Sequence, residues 1–166
     1  NSEEQKMVLL LVLASIPTAI IGLSFKDFFA SMFLQPTAIA IALLITGVWL
    51  YLASSCSPRT GEKDVSTKSA FAIGVAQGIA VAPGISRSGA TIGAALFLGV
   101  ERKKAAEFSF LLSIPAIIGA SVLEGRNAFT TSLDPVAVAA GVVASAVVGY
   151  LSIGFLLKLL EENKFK

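Results

Sequence analysis

The sequence predicts an all-α, polytopic transmembrane protein with a re-entrant helix hairpin, and three observations predict it. Of its 166 residues, 55% are hydrophobic and 14% are charged, against about a quarter charged in soluble domains. The mean hydropathy is +0.80, so apolar side chains would overrun both core and surface of a water-soluble fold, a conflict that lipid removes. The apolar residues also fall into charge-poor runs near 7–23, 37–53, 105–123 and 135–160, each close to the roughly 20 residues that cross a bilayer as a helix. Finally, the stretch 70–99 is apolar but is interrupted at its middle by Pro83-Gly84 and Ser86-Arg87-Ser88-Gly89.

Taken in order, the first run contains Pro17 and Gly22; membrane helices tolerate the bend that proline imposes. The polar break Ser24-Phe25-Lys26-Asp27 follows, then a short interfacial helix over 28–35, with Pro36 as a helix-start signal. The second span, 37–53, carries Trp49 and Tyr51 near its end, where aromatic belts lie. The loop 54–69 is the most polar segment, with Pro58, Arg59, Gly61, Glu62, Lys63, Asp64 and Lys68. Two half-length helices fit 70–99 best, about 70–82 and 88–98, each too short to cross. Irregular backbone at membrane depth is tolerated only when buried in protein or lining a wet cavity. After Glu101-Arg102-Lys103-Lys104 comes the third span with Glu107 and Pro115, a polar loop over 124–134, and a last span rich in Ala, Val and Gly, residues that permit close helix packing. The whole chain is read as a single membrane domain.

Loop charge orients this arrangement. Loop 54–69 carries +1 and the cluster 101–104 carries +2, whereas the opposite side carries 0 around Lys26-Asp27 and −1 over 124–134. The positive-inside rule puts the basic side in the cytoplasm, so the hairpin tip points to the outer face. Two full crossings in place of the hairpin give the same parity.

The formal net charge of +2 and the lack of a basic stripe exclude a nucleic-acid partner. The single cysteine, Cys56, forms no intrachain disulfide, and no basic segment followed by a short apolar stretch marks a cleaved signal. There is no histidine, and no acidic pair lies inside a span. Zinc sites, histidine-assisted nucleophiles and an acid–base couple beside the arginine are therefore not predicted.

Arg87 is the residue on which the functional reading turns. An arginine within an apolar region costs about 2.5–3.5 kcal/mol on insertion scales and needs a wet cavity, an anion or a carboxylate. Its rigid fork of donors matches phosphate oxygens. Gly84, Gly89 and Gly93 are expected to allow close backbone approach, Ser86, Ser88 and Thr91 to supply hydroxyls, and Ser86 or Ser88 to cap the second half-helix as an anion cradle. The bland alternative has Ser88 and Thr91 capping and packing while Arg87 makes a structural salt bridge, with Glu107 the first candidate partner. Gln77 shares a helix with Gly74 and Gly78 and can hydrogen-bond at depth without charge.

The segment Pro83-Gly84-Ile85-Ser86-Arg87-Ser88-Gly89-Ala90-Thr91 resembles the hallmark of the undecaprenyl-diphosphate phosphatase family, membrane enzymes linked to bacitracin resistance. Ala76-Gln77-Gly78 precedes it at the family's spacing, and Ala105-Ala106-Glu107-Phe108-Ser109-Phe110-Leu111-Leu112-Ser113-Ile114-Pro115 resembles the family's next stretch, as do Ile16-Pro17 and Gly22. The resemblance implies an inverted-repeat fold with two re-entrant hairpins. It implies hydrolysis of undecaprenyl diphosphate to the monophosphate and inorganic phosphate, recycling the cell-wall lipid carrier. It implies a divalent cation, magnesium or calcium, and a multi-pass protein of the bacterial inner membrane whose site faces outward.

By the same resemblance Arg87 would bind phosphate, Ser86 and Ser88 would share the catalytic site with it, and Gly89, Thr91 and Gln77 would contact substrate, with Glu107 behind them. The expected partners are the polyprenyl diphosphate lipid, bilayer lipids and a second copy in a homodimer. The family's glutamate-rich first hairpin and its Ser- and His-containing stretch are missing here, so the chain is expected to be a fragment without the N-terminal part and last helix, and inactive alone. The rival readings are a polyprenyl-phosphate transporter or flippase, since broken helices in inverted repeats are common in transporters, and a structural membrane subunit.

Overall fold

The computed structural model describes residues 2–55, 63–128 and 134–161. They form seven helices in the order α1 (Ser2–Ser24), α2 (Lys26–Met32), α3 (Pro36–Ser55), α4 (Thr67–Ile79), α5 (Arg87–Phe97), α6 (Arg102–Ala128) and α7 (Pro135–Glu161). Four of them, α1, α3, α6 and α7, are long and apolar enough to cross a membrane. The architecture is all-α and polytopic. The chain divides into two compact units, Asn1–Gly119 and Ala120–Lys166.

In the first unit the two short helices α4 and α5 are held by longer ones. Small residues set how closely they pack. A Cβ on Gly74 would stand 2.1 Å from the Ala14 carbonyl oxygen, and one on Gly78 would stand 2.9 Å from Ile21 side-chain carbons. This small-xxx-small seam lets α4 lie directly on α1. On the other flank, α3 presents Ile39, Ala42, Thr46, Trp49 and Leu50, spaced as one helical face, to the turn and to α5. α6 completes the unit: its Phe108 and Leu112 are fully buried in one cluster with Leu10 and Ala14 of α1, Ala70 and Ile73 of α4, and Ala95 and Leu96 of α5. Large apolar side chains on the outer faces, such as Leu9, Leu44 and Ile118, are exposed at 69%, 72% and 58%, as expected where lipid is the solvent.

Local chemistry sets the helix ends. α4 begins three residues earlier than its apolar run, because Ser66 accepts from the Ser69 amide at 3.2 Å while the Ser69 hydroxyl accepts from the Ser66 amide at 2.7 Å. That reciprocal capping box satisfies two end donors. The chain then turns through 80–86, where Gly84 has φ +88°, a left-handed conformation natural to glycine. Gly99, at φ +79°, follows the end of α5. Beyond it Val100 pairs with Lys63 in an isolated bridge, and the Glu101 amide donates to the Lys63 carbonyl at 3.2 Å. The segments entering α4 and leaving α5 therefore meet, and the pair closes on itself as a hairpin. Lys104 also reaches Asp64, and this pairing holds the Asp64 carboxyl below its ordinary value.

Two sequence expectations shift. The short helix expected at 28–35 is α2, starting at Lys26 and ending at Met32. The polar loop expected from residue 124 is preceded by helix, since α6 runs on to Ala128. Trp49, near the end of α3, is half-buried and its indole N–H donates to the Gly89 carbonyl at 3.2 Å. Of the polar loop residues singled out above, Cys56, Pro58, Arg59, Gly61 and Glu62 lie outside the described residues.

Candidate functional site

The turn between α4 and α5 is built from the sequence 83–89. Pro83 is buried. The Ser86 amide donates to the Thr46 hydroxyl oxygen at 3.3 Å, and the Thr46 hydroxyl lies 3.4 Å from the Gly84 carbonyl, to which it can donate. Thr46 thus fixes both sides of the turn from α3. Ser86 is the N-cap of α5, its oxygen accepting from the Gly89 amide at 3.2 Å. Its hydroxyl proton is still available, since a hydroxyl donates and accepts at once. Ser88 is exposed, with its hydroxyl 3.5 Å from that of Ser86.

Arg87 is the first residue of α5. Its Nη1 is buried and has no hydrogen-bond partner. No carboxylate pairs with it among the described residues. An arginine on the first residue of a helix, with a serine on each side of it in the sequence, brings charged and hydroxyl donors to a helix start, an arrangement suited to an anion.

Arg87, Ser86 and Ser88 stand at the start of α5 with Gly89 bonded to the Ser86 cap, whereas Thr91, Gln77 and Glu107 are engaged elsewhere. Thr91 is fully buried, and its hydroxyl is within bonding distance of the Arg87 and Ser88 carbonyls, at 2.9 and 3.2 Å, and of the Ser109 hydroxyl. It locks α5 against α6 instead of lining an open surface. Gln77, 1% exposed, donates from Nε2 to the Thr18 hydroxyl and the Leu112 carbonyl, each at 3.4 Å, while its Oε1 has no partner. It ties α4 to α1 and α6. Glu107 does not reach Arg87: it is exposed and lines a depression with Glu3, Lys6, Asp64 and Lys104, at the end of the unit where the hairpin closes. Glu107 is two residues from Ser109 on α6, a rotation of about 200°, so it faces away from the side of α6 that meets Thr91.

The glycines also act differently from expectation. A Cβ on Gly84 would come within 2.6 Å of the Ile39 carbonyl oxygen, and one on Gly93 within 2.2 Å of the Trp49 Nε1. At Gly89 it would meet Ser86 and Leu50 at 3.1–3.2 Å. The room they leave is taken by the protein itself, chiefly α3, and not by open space for a ligand. Thr46, Trp49 and Ser109 are the supporting residues that sequence reading missed. Only their tertiary contacts identify them, although the polar Thr46 inside an apolar span was a visible signal.

Among the described residues, no group of three or more His, Cys, Asp or Glu could hold a metal ion. The donors around Arg87 are cationic and hydroxylic, whereas magnesium and calcium want carboxylate and carbonyl oxygens. These residues do not fit a resident divalent cation.

Comparison with known proteins gives the family. The sequence pattern of the family described as bacitracin resistance protein BacA matches residues 1–166. An undecaprenyl-diphosphatase from Methanothermobacter thermautotrophicus is 45% identical over 164 residues, covering 93% of this chain and 88% of that relative. Proteins of the same name from Halothermothrix orenii and Elusimicrobium minutum are 41% and 43% identical over 99% of this chain. The chain spans 65% and 63% of the length of these two.

Proposed function

The chain belongs to the bacitracin resistance protein BacA family, and we propose that its α4–α5 turn binds the diphosphate of a polyprenyl diphosphate lipid for hydrolysis to the monophosphate and inorganic phosphate. The observation that carries this reading is the buried, unpartnered Nη1 of Arg87, a residue that stands between two serines in the sequence at the start of α5. A charged donor shut from water without a partner is strongly unfavourable, and a phosphate oxygen resolves it. The substrate class is supported by the name shared by the relatives at 40–45% identity.

In this mechanism Arg87 holds two phosphate oxygens and takes up charge developing on the transferring phosphoryl group, where preorganised donors act most strongly. Ser88 meets the diphosphate with a free hydroxyl. Ser86 donates its proton to it while continuing to accept the Gly89 amide. Gly89, whose amide is held by Ser86 and whose carbonyl is held by Trp49, supports the cap and does not itself meet the diphosphate. Thr91 and Gln77 hold α5 and α4 in place behind the site. Serine attack and direct attack by water both remain compatible with these groups, since no base stands beside either serine among the described residues. A magnesium or calcium ion enters this proposal only as a counter-ion of the diphosphate, and no step runs through it.

The same reading makes α4 and α5 a re-entrant hairpin. Thirteen and eleven residues at about 1.5 Å each fall short of a hydrocarbon layer of about 30 Å. The basic segments Lys63, Lys68 and 101–104 then lie on the inner face of a bacterial inner membrane, and the Arg87 turn opens outward. A homodimer and the inverted repeat belong to the same proposal; the open positions Gly141 and Gly149 of α7 leave room for close helix contact.

The test is phosphate release from undecaprenyl diphosphate by the protein in lipid vesicles. Arg87→Ala should lower turnover by about 10²–10³, as removal of one preorganised donor does elsewhere. Arg87→Lys should recover little, because it lacks the planar fork. Movement of labelled lipid across the vesicle with no phosphate released would replace hydrolysis with transport.

A further inference from the structure

Beside the arginine turn lies an apolar recess of about 170 Å³, walled by Ile45, Thr46 and Trp49 of α3, Ile79 of α4, Ile85 of the turn and Ala90 of α5. We propose that it seats the isoprene unit next to the phosphate of the bound lipid, with Trp49 as its wall; this deepens the phosphate reading above and rests on it. Two features tie the recess to the anion site. Thr46 both lines it and holds the Ser86 amide and the Gly84 carbonyl. Ala90 stands one helical turn from Arg87, on the neighbouring position of the same face.

An occupant must therefore join an anion to an apolar group within a bond or two, which a prenyl phosphate does and a phospholipid acyl chain, set back behind glycerol, does not. The size agrees. A dry cavity of roughly 150 Å³ takes one benzene molecule, so the recess suits a single five-carbon unit and not a folded chain. The rest of the tail has a way out, because Ile45 and Ile79 on the rim are 58% and 52% exposed on faces apolar enough to meet the bilayer. The Trp49 ring is held against Gly93 and Gly89, and tilts over Phe97 at 4.7 Å between centroids. The wall is fixed before a lipid arrives, which limits the ordering that binding must impose.

Trp49 is the chain's single tryptophan, so its emission reports on the recess alone. The chain in lipid nanodiscs is titrated with geranyl monophosphate, geraniol and inorganic phosphate. The expected result is a saturable emission change with geranyl monophosphate that neither geraniol nor phosphate reproduces at the same concentration. Ala90→Phe and, from the opposite wall, Ile45→Phe each fill the recess and should weaken geranyl monophosphate binding at least tenfold, with helicity by circular dichroism unchanged. An equal response to geraniol, or undiminished affinity in both filled variants, overturns the proposal. A separate arm isolates the phosphate reading: pyrophosphate binding by calorimetry should be lost in Arg87→Gln and retained in Ala90→Phe. If pyrophosphate binding ignores Arg87, the phosphate reading fails; if it depends on Arg87 while the filled variants still bind geranyl monophosphate, only the recess fails.

Discussion

Arg87 and Gly93 stand less than two turns apart on α5 and show two ways in which one residue constrains function. At Arg87 the constraint is chemical: its Nη1 is buried without a partner, a disadvantage that an anion at the proposed site would remove. At Gly93 it is steric: the Trp49 ring occupies the place of a side chain, 2.2 Å from where a Cβ would stand. Gly93→Ala should therefore push the ring away and destabilise the unit by about 1–3 kcal/mol, the usual range for overpacking. Trp49→Leu in the same chain should recover part of that loss, and a double-mutant cycle from unfolding in detergent measures the coupling. Independent, additive losses would mean that the ring and the glycine do not oppose each other. The buried setting of Arg87 was legible in the sequence, because a charge inside an apolar stretch is conspicuous without knowledge of its neighbours. The role of Gly93 was only half legible. Its small size was evident, but the occupant of the space comes from α3, more than forty residues earlier, and no local pattern encodes that meeting.

At the scale of elements, α5 depends on its cap for both stability and chemistry. Ser86 accepts the Gly89 amide and its proton faces the anion in the proposed site, so substitutions there can separate the two roles. Ser86→Ala should cost about 1 kcal/mol through the lost cap and weaken diphosphate binding as well. Ser86→Asp should keep the cap and its favourable charge at the helix start, leaving thermal stability near that of the parent, while its carboxylate repels the diphosphate and abolishes binding. Calorimetry with pyrophosphate beside thermal unfolding reads both; retained binding in Ser86→Asp would remove Ser86 from the site. The helix order and the two half-length helices were legible from the lengths of apolar runs and the Pro-Gly interruption. Helix starts were less so, since Ser66 and Ser69 reach back from a polar stretch to extend α4. The azimuth of each side chain was not legible at all: Glu107 and Ser109 are two residues apart on α6, yet one is exposed and the other is 4% exposed against Thr91.

For the whole molecule the question is which side of the membrane each end of the hairpin meets. Its closed end carries Asp64 and Lys104, which pair in the open. Pairing depresses the Asp64 pKa, so the contribution of this carboxylate is present above the ordinary value of 3.8 and is lost as pH falls through its lower folded value. Both groups are exposed and screened. Thermal stability should therefore be flat from about pH 5 to 9 for this pair, and Asp64→Asn should change it little; a large drop would show the pair to be shielded from solvent. The opposite end, the Arg87 turn, is where the proposed site lies, and the proposal has it open outward, toward lipid on the outer face. Single-cysteine chains test this directly. With Cys56→Ser as background, Ser88→Cys reports the turn and Lys103→Cys the closed end. In right-side-out vesicles a membrane-impermeant maleimide added outside should label Ser88→Cys and leave Lys103→Cys unlabelled until the vesicles are opened. Half-length helices add a second expectation: the turn sits within the membrane's thickness, so Ser88→Cys should react more slowly than a cysteine in the loop after α2, at Gln35. Equal rates would favour two complete crossings over a re-entrant pair, and labelling of Ser88→Cys only from the inside would invert the orientation drawn from the basic loops.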